Sequence, residues 1–274
     1  MNRILVTGDR GFVGSQIRAA LEPAHEVVGL EAWGRFRDWY DEMYEVMDTP
    51  IDAVIHVGGI AESQRQRADI YLWNSYATFL LAQRVRQKMH SMSPMPFIFF
   101  SSFSVGSTMD SWEMRTPYTW SKAQAENFVR VYLPHATILR AGVIWGDEKN
   151  KLPAERSVPY RLASHDLKHL FKNRAWNYVH VSDVVVAVKH CLENRPKGTF
   201  DLITEYVTNE RAATFVAWKG YEWLDDSVRT GIENCVGDLR NGEEDSTTPM
   251  PPGWAPKVLM TLELPRLERE LKEA

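Results

Sequence analysis

Residues 4–22 read ILVTGDRGFVGSQIRAALE, and the glycines at 8, 11 and 14 decide the fold. ILVTG (4–8) is a short apolar run that predicts a buried strand. FVGSQIRAALE (12–22) carries helical spacing. Glycines between the two permit a tight turn and let another group approach the backbone closely. The N-terminus of the helix then offers unclaimed N–H groups and the positive end of its dipole. A strand, a glycine turn and a helix in that order form a receptor for pyrophosphate, which predicts a bound dinucleotide. Its candidates are Gly8, Gly11, Phe12, Val13 and Gly14. The spacing G-x-x-G-x-x-G is one residue longer than the commonest fingerprint. A strand–turn–helix packed tightly for purely structural reasons is the bland alternative.

Outward from this turn, apolar runs alternate with helical patterns. Strands are predicted at 26–31, 52–58, 96–102 and 136–142, and helices at 68–89 and 118–133. FRDWYDEMYEVM (36–47) is expected to hold a brief strand and then a helix. Continuous apolar strands separated by helices imply a parallel sheet covered on both faces. The rhythm breaks after Val143. WNYVHV (176–181), a helix at 182–193 and GTFDLI (198–203) then read as a return to the sheet. The expected fold is α/β, a doubly wound parallel sheet with a smaller C-terminal substrate lobe. Residues 1–142, with 176–200 returning, form the core, and 143–175 and 201–274 form the lobe.

The formal net charge of the 274 residues is -4, and no long basic run occurs, which argues against nucleic acid and anionic membranes. The apolar runs are too short to span a bilayer, and the strand-like start leads us to expect no signal peptide. Two distant cysteines, Cys191 and Cys235, suggest neither a disulfide framework nor a thiolate metal site. A cytoplasmic setting is expected.

Three further features point to chemistry. Glu31 ends the second strand, where an acid binds the adenine ribose and repels a 2′-phosphate. This favours NAD, although Arg10 and Arg35 pull towards NADP. Tyr118 and Lys122 stand four apart on one helix and share a face. An ammonium beside a phenol favours the phenolate, which then exchanges a proton with a hydroxyl or carbonyl. Ser101 and Ser102 lie at the carboxyl end of a parallel strand, where ligands of such sheets bind.

Taken together, VTGDRGFVG (6–14), DAVIHVGG (52–59), Asn74, FFSSFSVG (99–106), YTWSKAQAE (118–126), LRAGVIWG (139–146), YVHVSDV (178–184), GTFDL (198–202) and GWAPKV (253–258) resemble the extended short-chain dehydrogenase/reductases, the NAD(P)-dependent epimerase/dehydratase group. The resemblance implies Ser102 as the catalytic serine, with Ser101 as fallback, and Tyr118 as acid/base. It implies that Lys122 lowers the tyrosine pKa and holds the nicotinamide ribose. His56, Val57 and Gly58 match the stretch beside the cofactor, and Asn74 matches a structural asparagine. Ser104 and Arg240 are the implied substrate contacts. The loop lacks the family's tyrosine before Gly106. Phe103 and Ser104 stand where dehydratases carry an acid, which argues against a 4,6-dehydratase. Trp176 and Asn177 replace the arginine expected before Tyr-Val-His, and Val143 replaces a substrate asparagine.

The resemblance therefore implies an NAD(P)-dependent nucleotide-sugar epimerase or keto-sugar reductase, expected to dimerise through helices 68–89 and 118–133. Its alternatives are an NAD-dependent dehydrogenase of a free sugar or uronate, and an inactive cofactor-binding regulator. His165 and His169, four apart, lack a third ligand and read as a polar helix face, so no metal is expected. Asp183 is expected to cap the helix after it. Trp145, Trp176, Trp218 and Trp223 read mostly as packing.

Overall fold

A computed structural model of the chain describes residues 2–30, 35–60, 67–89, 94–106, 116–146 and 175–208, together with Val258 and Arg266. Six strands form the central sheet: β1 (Arg3–Thr7), β2 (Glu26–Leu30), β3 (Ala53–His56), β4 (Phe97–Ser102), β5 (Thr137–Ala141) and β8 (Gly198–Leu202). They lie in the order β2-β1-β3-β4-β5-β8, and every pairing is parallel. The chain steps from β1 outwards to β2 and then crosses back to β3. The crevice at the carboxyl ends of β1 and β3 is thus the topological switch point, where ligands of such sheets bind.

The strands alternate their side chains between two cores, which is what two-sided helix cover requires. Leu5, Val54, Phe97, Phe99 and Ile138 pack with α2 (Phe36–Asp48), α4 (Ala77–Lys88) and α5 (Pro117–Tyr132). Ile4, Val6, Ile55, Ile98 and Leu139 pack with α1 (Phe12–Leu21) and α6 (Val181–Asn194).

Two expectations are corrected and one is refined. The stretch 36–48 is helical throughout, because Trp39, Met43 and Met47 recur every fourth residue and are all buried on one face. The long helix expected at 68–89 is present over residues 67–88 but contains a π-helical turn. A short helix, α3 (Arg67–Tyr71), runs into a π-helical turn, Leu72–Tyr76, before α4 begins. The strand expected at 176–181 does not return to the central sheet. It is β7 (Ala175–His180), which pairs parallel with β6 (Val143–Trp145) and antiparallel with β9 (Glu205–Thr208) in a second, three-stranded sheet. Helix α6 packs on the core as expected, and β8 rejoins the central sheet beside β5.

Candidate functional site

The glycine turn is built for close approach. Gly8 has φ +67°, and a Cβ there would stand 2.8 Å from the Cα of Gly58, just beyond β3. A Cβ on Gly14 would stand 2.1 Å from the carbonyl oxygen of Gly8. Gly11 caps α1 with no side-chain hydrogen bond, and the first turn holds no acid. Phe12, Val13 and Gly14 therefore begin the helix with backbone N–H groups that no side-chain cap claims. This cradle fits a diphosphate: it is cationic by dipole, flat where glycine removes side chains, and placed at the switch point.

The floor beside it is held by a directed chain of hydrogen bonds. Thr78 Oγ1 donates to the Asn74 carbonyl at 2.7 Å, so its oxygen accepts from His56 Nε2 at 2.8 Å. The Nδ1 of that ring is then an acceptor and takes the Thr7 hydroxyl at 2.6 Å. Thr7 Oγ1 accepts the Gly58 N–H at 3.0 Å. Burial, and secondarily the charge of Lys122, push the His56 pKa down to about 3 and keep the ring neutral. Both ring nitrogens of His56 are thus engaged inside the protein. The ring holds Gly58 and Thr7 in place instead of presenting a nitrogen to a ligand. Val57 is half-buried and packs against the core on the α1 and α6 side.

Asn74, in the π-helical turn, ties three elements together. Its Oδ1 accepts the Ile60 N–H at 2.6 Å, and its Nδ2 donates to the Ile60 carbonyl at 3.0 Å and to Ser121 Oγ at 3.1 Å. Ser121 Oγ donates in turn to the Tyr118 carbonyl at 2.7 Å. Asn74 thus registers the segment after β3 against the first turn of α5.

Helix α5 begins with two strong start signals, Thr116 as a cap accepting the Thr119 N–H at 3.1 Å and Pro117 at the first helical position. Tyr118 follows, half-buried, and Lys122 lies one turn on, with only 5% of its surface exposed. Among the described residues the Lys122 ammonium makes one hydrogen bond, to the Phe100 carbonyl at 2.9 Å, and it stands 5.2 Å from the centre of the Phe99 ring. An ammonium has three donors. Gly59 packs close to it: a Cβ there would lie 3.1 Å from Nζ and 2.9 Å from Asn74 Oδ1. Burial pushes the Lys122 pKa down to about 8, with the Glu126 carboxylate opposing the shift. The group is therefore still cationic at neutral pH.

The two serines at the end of β4 part company, because successive strand residues face opposite ways. Ser101 donates to the buried Glu126 carboxylate at 2.6 Å. Glu126 also accepts from Arg140 Nε and Nη2, both at 2.9 Å. Burial alone would raise the Glu126 pKa; the Arg140 and Ser101 hydrogen bonds and the charges of Arg140 and Arg130 bring it below its ordinary value. Ser101 is therefore a structural group, and the fallback assignment to it is set aside. Ser102 is half-buried and caps the short helical turn Phe103–Val105. Its hydroxyl is 2.9 Å from that of Ser104, which accepts from Thr119 Oγ1 at 3.2 Å. The serine turn and the start of α5, where Tyr118 stands, are thereby fastened to each other.

Glu31 and Arg240 lie outside the described residues, as do His165, His169, Trp218 and Trp223. Arg10 is exposed in the turn. The cap of α6 is His180, whose side chain accepts the Ser182 N–H, and not Asp183. Asp183 is buried and accepts the Val258 N–H at 3.0 Å, fastening that later residue to the helix. The described residues hold no cluster suited to a metal ion and no helix long and apolar enough to cross a membrane.

A family model described as the NAD dependent epimerase/dehydratase family matches residues 4–202. The chain belongs to that family. As a member of the epimerase/dehydratase family it is an enzyme, and the dinucleotide expected from its first turn is a nicotinamide dinucleotide, NAD(P). The sequence matches no curated protein. Solved structures give the fold. The UDP-glucose 4-epimerase of Thermus thermophilus, in complex with NAD, shares 21% identity over 99% of both chains with a TM-score of 0.68. The dTDP-glucose 4,6-dehydratase of Bacillus anthracis str. Ames, also with NAD, shares 15% over 100% of this chain and 97% of its own, at TM-score 0.69. RMD from Pseudomonas aeruginosa, complexed with NADPH, shares 16% over 100% and 99%, at TM-score 0.67. At these identities the likeness is one of architecture, and the family's chemistry has to be argued from this chain's own residues.

Proposed function

We propose that this family member acts on a hydroxyl or keto group of a sugar, as a nucleotide-sugar epimerase or keto-sugar reductase with Ser102, Tyr118 and Lys122 as its reacting site. The observation that carries the reading is Lys122: a buried ammonium, one turn after Tyr118, with a single acceptor among the described residues, packed close to Gly59, where a Cβ would stand 3.1 Å from Nζ. Its remaining donors suit ribose hydroxyls and a phenolate oxygen.

Gly8, Gly11, Phe12, Val13 and Gly14 hold the diphosphate of the dinucleotide, and Gly58, kept in place by Thr7 and His56, forms the floor. When bound, the nicotinamide accepts or donates the hydride. The chain's own residues manage the proton and the geometry. Tyr118, as phenolate, takes the proton of the substrate hydroxyl, and as phenol returns it to the oxygen of a keto group. The Lys122 cation lowers the cost of the phenolate. Ser102 donates to the same substrate oxygen and fixes its position, with Ser104 and Thr119 setting the hydroxyl's own direction. Phe103 and Ser104 supply no carboxylate beside Ser102, so loss of water in the manner of a 4,6-dehydratase is not part of this reading.

Arg240 is the proposed contact of the substrate's diphosphate, through a bidentate fork. Trp176 and Asn177, in β7 before Tyr178, supply no second guanidinium there. This favours, as a second reading, an NAD-dependent dehydrogenase of a free sugar or uronate. The test is a substrate panel with purified chain and NAD. A change in nicotinamide absorbance with UDP-, GDP- or dTDP-sugars, or their interconversion, supports the first reading. A change only with free uronates or aldoses supports the second. No turnover on either class, with cofactor bound, refutes both.

The proposed assembly is a homodimer through α4 and α5. Trp120 and Val131 are exposed apolar side chains on α5, and Tyr76 is exposed just before α4. Light scattering that returns a monomer mass would remove this part of the reading.

A further inference from the structure

The turn that receives the diphosphate contains a buried acid. Asp9 follows Gly8 and is 3% exposed. Its Oδ2 accepts from Arg18 Nη1 at 2.5 Å, while its Oδ1 has no hydrogen-bond partner among the described residues. The carboxylate lies against the end of β2: a Cβ on Gly29 would stand 2.1 Å from Oδ2 and 2.7 Å from Oδ1. Gly29 is the penultimate residue of β2 and pairs with Val6 of β1. Any larger residue at 29 would occupy the space of the Asp9 carboxylate. Arg18 is shared, because its Nε donates to Glu22 at 2.7 Å. Asp9, Arg18 and Glu22 together therefore carry one net negative charge.

A half-satisfied buried carboxylate is costly, and its presence needs a reason. In doubly wound sheets the adenine ribose lies at the carboxyl end of β2, where an acid tells a ribose 2′-hydroxyl from a 2′-phosphate. Asp9 brings a carboxylate to that strand end from the neighbouring turn. Being buried, it is screened by salt much less than a surface charge.

We propose that Asp9 excludes the 2′-phosphorylated dinucleotide and makes the enzyme selective for NAD over NADP, a proposal that rests on the dinucleotide reading of the first turn. A ribose diol brings no charge to the end of β2, whereas a 2′-phosphate brings up to two negative charges beside a carboxylate that Arg18 only partly compensates. Exposed Arg10, next in the turn, is the opposing influence, and the net preference is set by which charge lies closer to the 2′ position.

Calorimetric titration of the full chain with NAD and with NADP tests this. The wild type is expected to bind NAD about tenfold or more tightly than NADP, the equivalent of about 1.4 kcal/mol. Asp9→Asn should shrink that ratio about fivefold or more by tightening NADP. Arg18→Gln should widen it, because the Asp9 charge then stands uncompensated. Opposite shifts in the two variants support the proposal. A wild type that prefers NADP, or ratios unchanged within about twofold in both variants, overturns it. If Asp9→Asn does not fold, the half-exposed Arg18→Gln and competition of NAD binding by 5′-ADP against 2′,5′-ADP in the wild type decide the same question. Failure of the wild type to bind either dinucleotide is a different result: it removes the reading of the first turn and the proposal with it.

Discussion

Replacing Lys122 by methionine should make the protein more stable and catalytically dead. Methionine matches the length of the lysine stem and removes only the charge. Burial lowers the Lys122 pKa from 10.5 to about 8. At about 1.36 kcal/mol per pH unit, the charged form is disfavoured by roughly 3 kcal/mol in the folded chain. Loss of the hydrogen bond to the Phe100 carbonyl offsets about 1 kcal/mol of this. The expected net gain for Lys122→Met at pH 7 is therefore about 2 kcal/mol. Its pH dependence has a definite sign. Below pH 8 both the folded and the unfolded wild type hold the proton, and the folded chain bears the full penalty. Between about pH 8 and 10.5 only the unfolded chain holds it, so wild-type stability rises with pH across that window. The advantage of the methionine variant must shrink over the same range. Urea denaturation of both proteins at pH 7 and near pH 10, read by tryptophan fluorescence, measures the two differences. A variant less stable than wild type at pH 7, or a stability gap that does not move with pH, would refute the assignment of Lys122 as a strained, functionally retained cation.

Tyr118→Phe should lower turnover by roughly 10²–10⁴-fold and leave NAD affinity within about threefold, measured by steady-state kinetics and calorimetry. The serines separate by assay. Ser102→Ala should lower kcat about tenfold or more at unchanged stability, whereas Ser101→Ala should cost about 1.5–3 kcal/mol of stability through the charged hydrogen bond to Glu126; the reverse pattern sinks the assignment. Gly8→Ala places a Cβ 2.8 Å from Gly58 Cα at φ +67° and should abolish measurable dinucleotide binding while the chain stays folded by circular dichroism. Glu126→Gln should destabilise by about 3–5 kcal/mol at neutral pH, because Arg140 loses its buried partner. Glu126 has a lowered folded pKa, so its contribution is present above the ordinary carboxylate range and is lost as pH falls. The gap between parent and variant should narrow on acidification.

The central strands are legible in the sequence because a sheet buried on both faces needs runs such as ILV, AVIH and FIFF, and little else in the chain looks like them. Helix α2 is legible in part: the fourfold spacing of Trp39, Met43 and Met47 is there to be read, but the expected brief strand hides it. Other features leave no local trace. The π-helical turn is one residue of extra backbone inside an apolar helix, and its cause is tertiary: Asn74 reaches Ile60 and Ser121, far away in sequence. The sheet that β7 joins depends on hydrogen bonding to β6 and β9, which the pattern of WNYVHV does not encode. Among the candidate site residues, the glycines stand out by their spacing after a strand, whereas Tyr118 and Lys122, four apart on a helix, gain weight only beside the other motifs. Thr7, Thr78, Ser121 and Glu126 do not stand out, since their roles arise only when three elements meet. One signal is available without coordinates: strand alternation alone puts Ser101 and Ser102 on opposite faces, so only one of them can serve the crevice.

The buried polar groups at the carboxyl end of the sheet are not evenly satisfied, and the unevenness has a direction. Thr7, His56, Asn74, Thr78, Ser101 and Ser121 each have protein partners, linked across β1, β3, β4, the π-helical turn and α5. A fully satisfied buried network rigidifies what it joins. Set within it, among the described residues, are two groups with unfilled hydrogen-bonding capacity: Lys122, with one acceptor for three donors, and Asp9, with one oxygen unpartnered. Asp9 lies against Gly29 near the end of β2, and Lys122 lies against Gly59 after β3. Under the proposed dinucleotide reading, the first turn of α1 suits the diphosphate and the Lys122 cation suits ribose hydroxyls. A protein whose only task here was to stay folded would gain by replacing both charges with apolar side chains. Their presence inside an otherwise satisfied network is what binding energy, supplied by the ligand, has to offset.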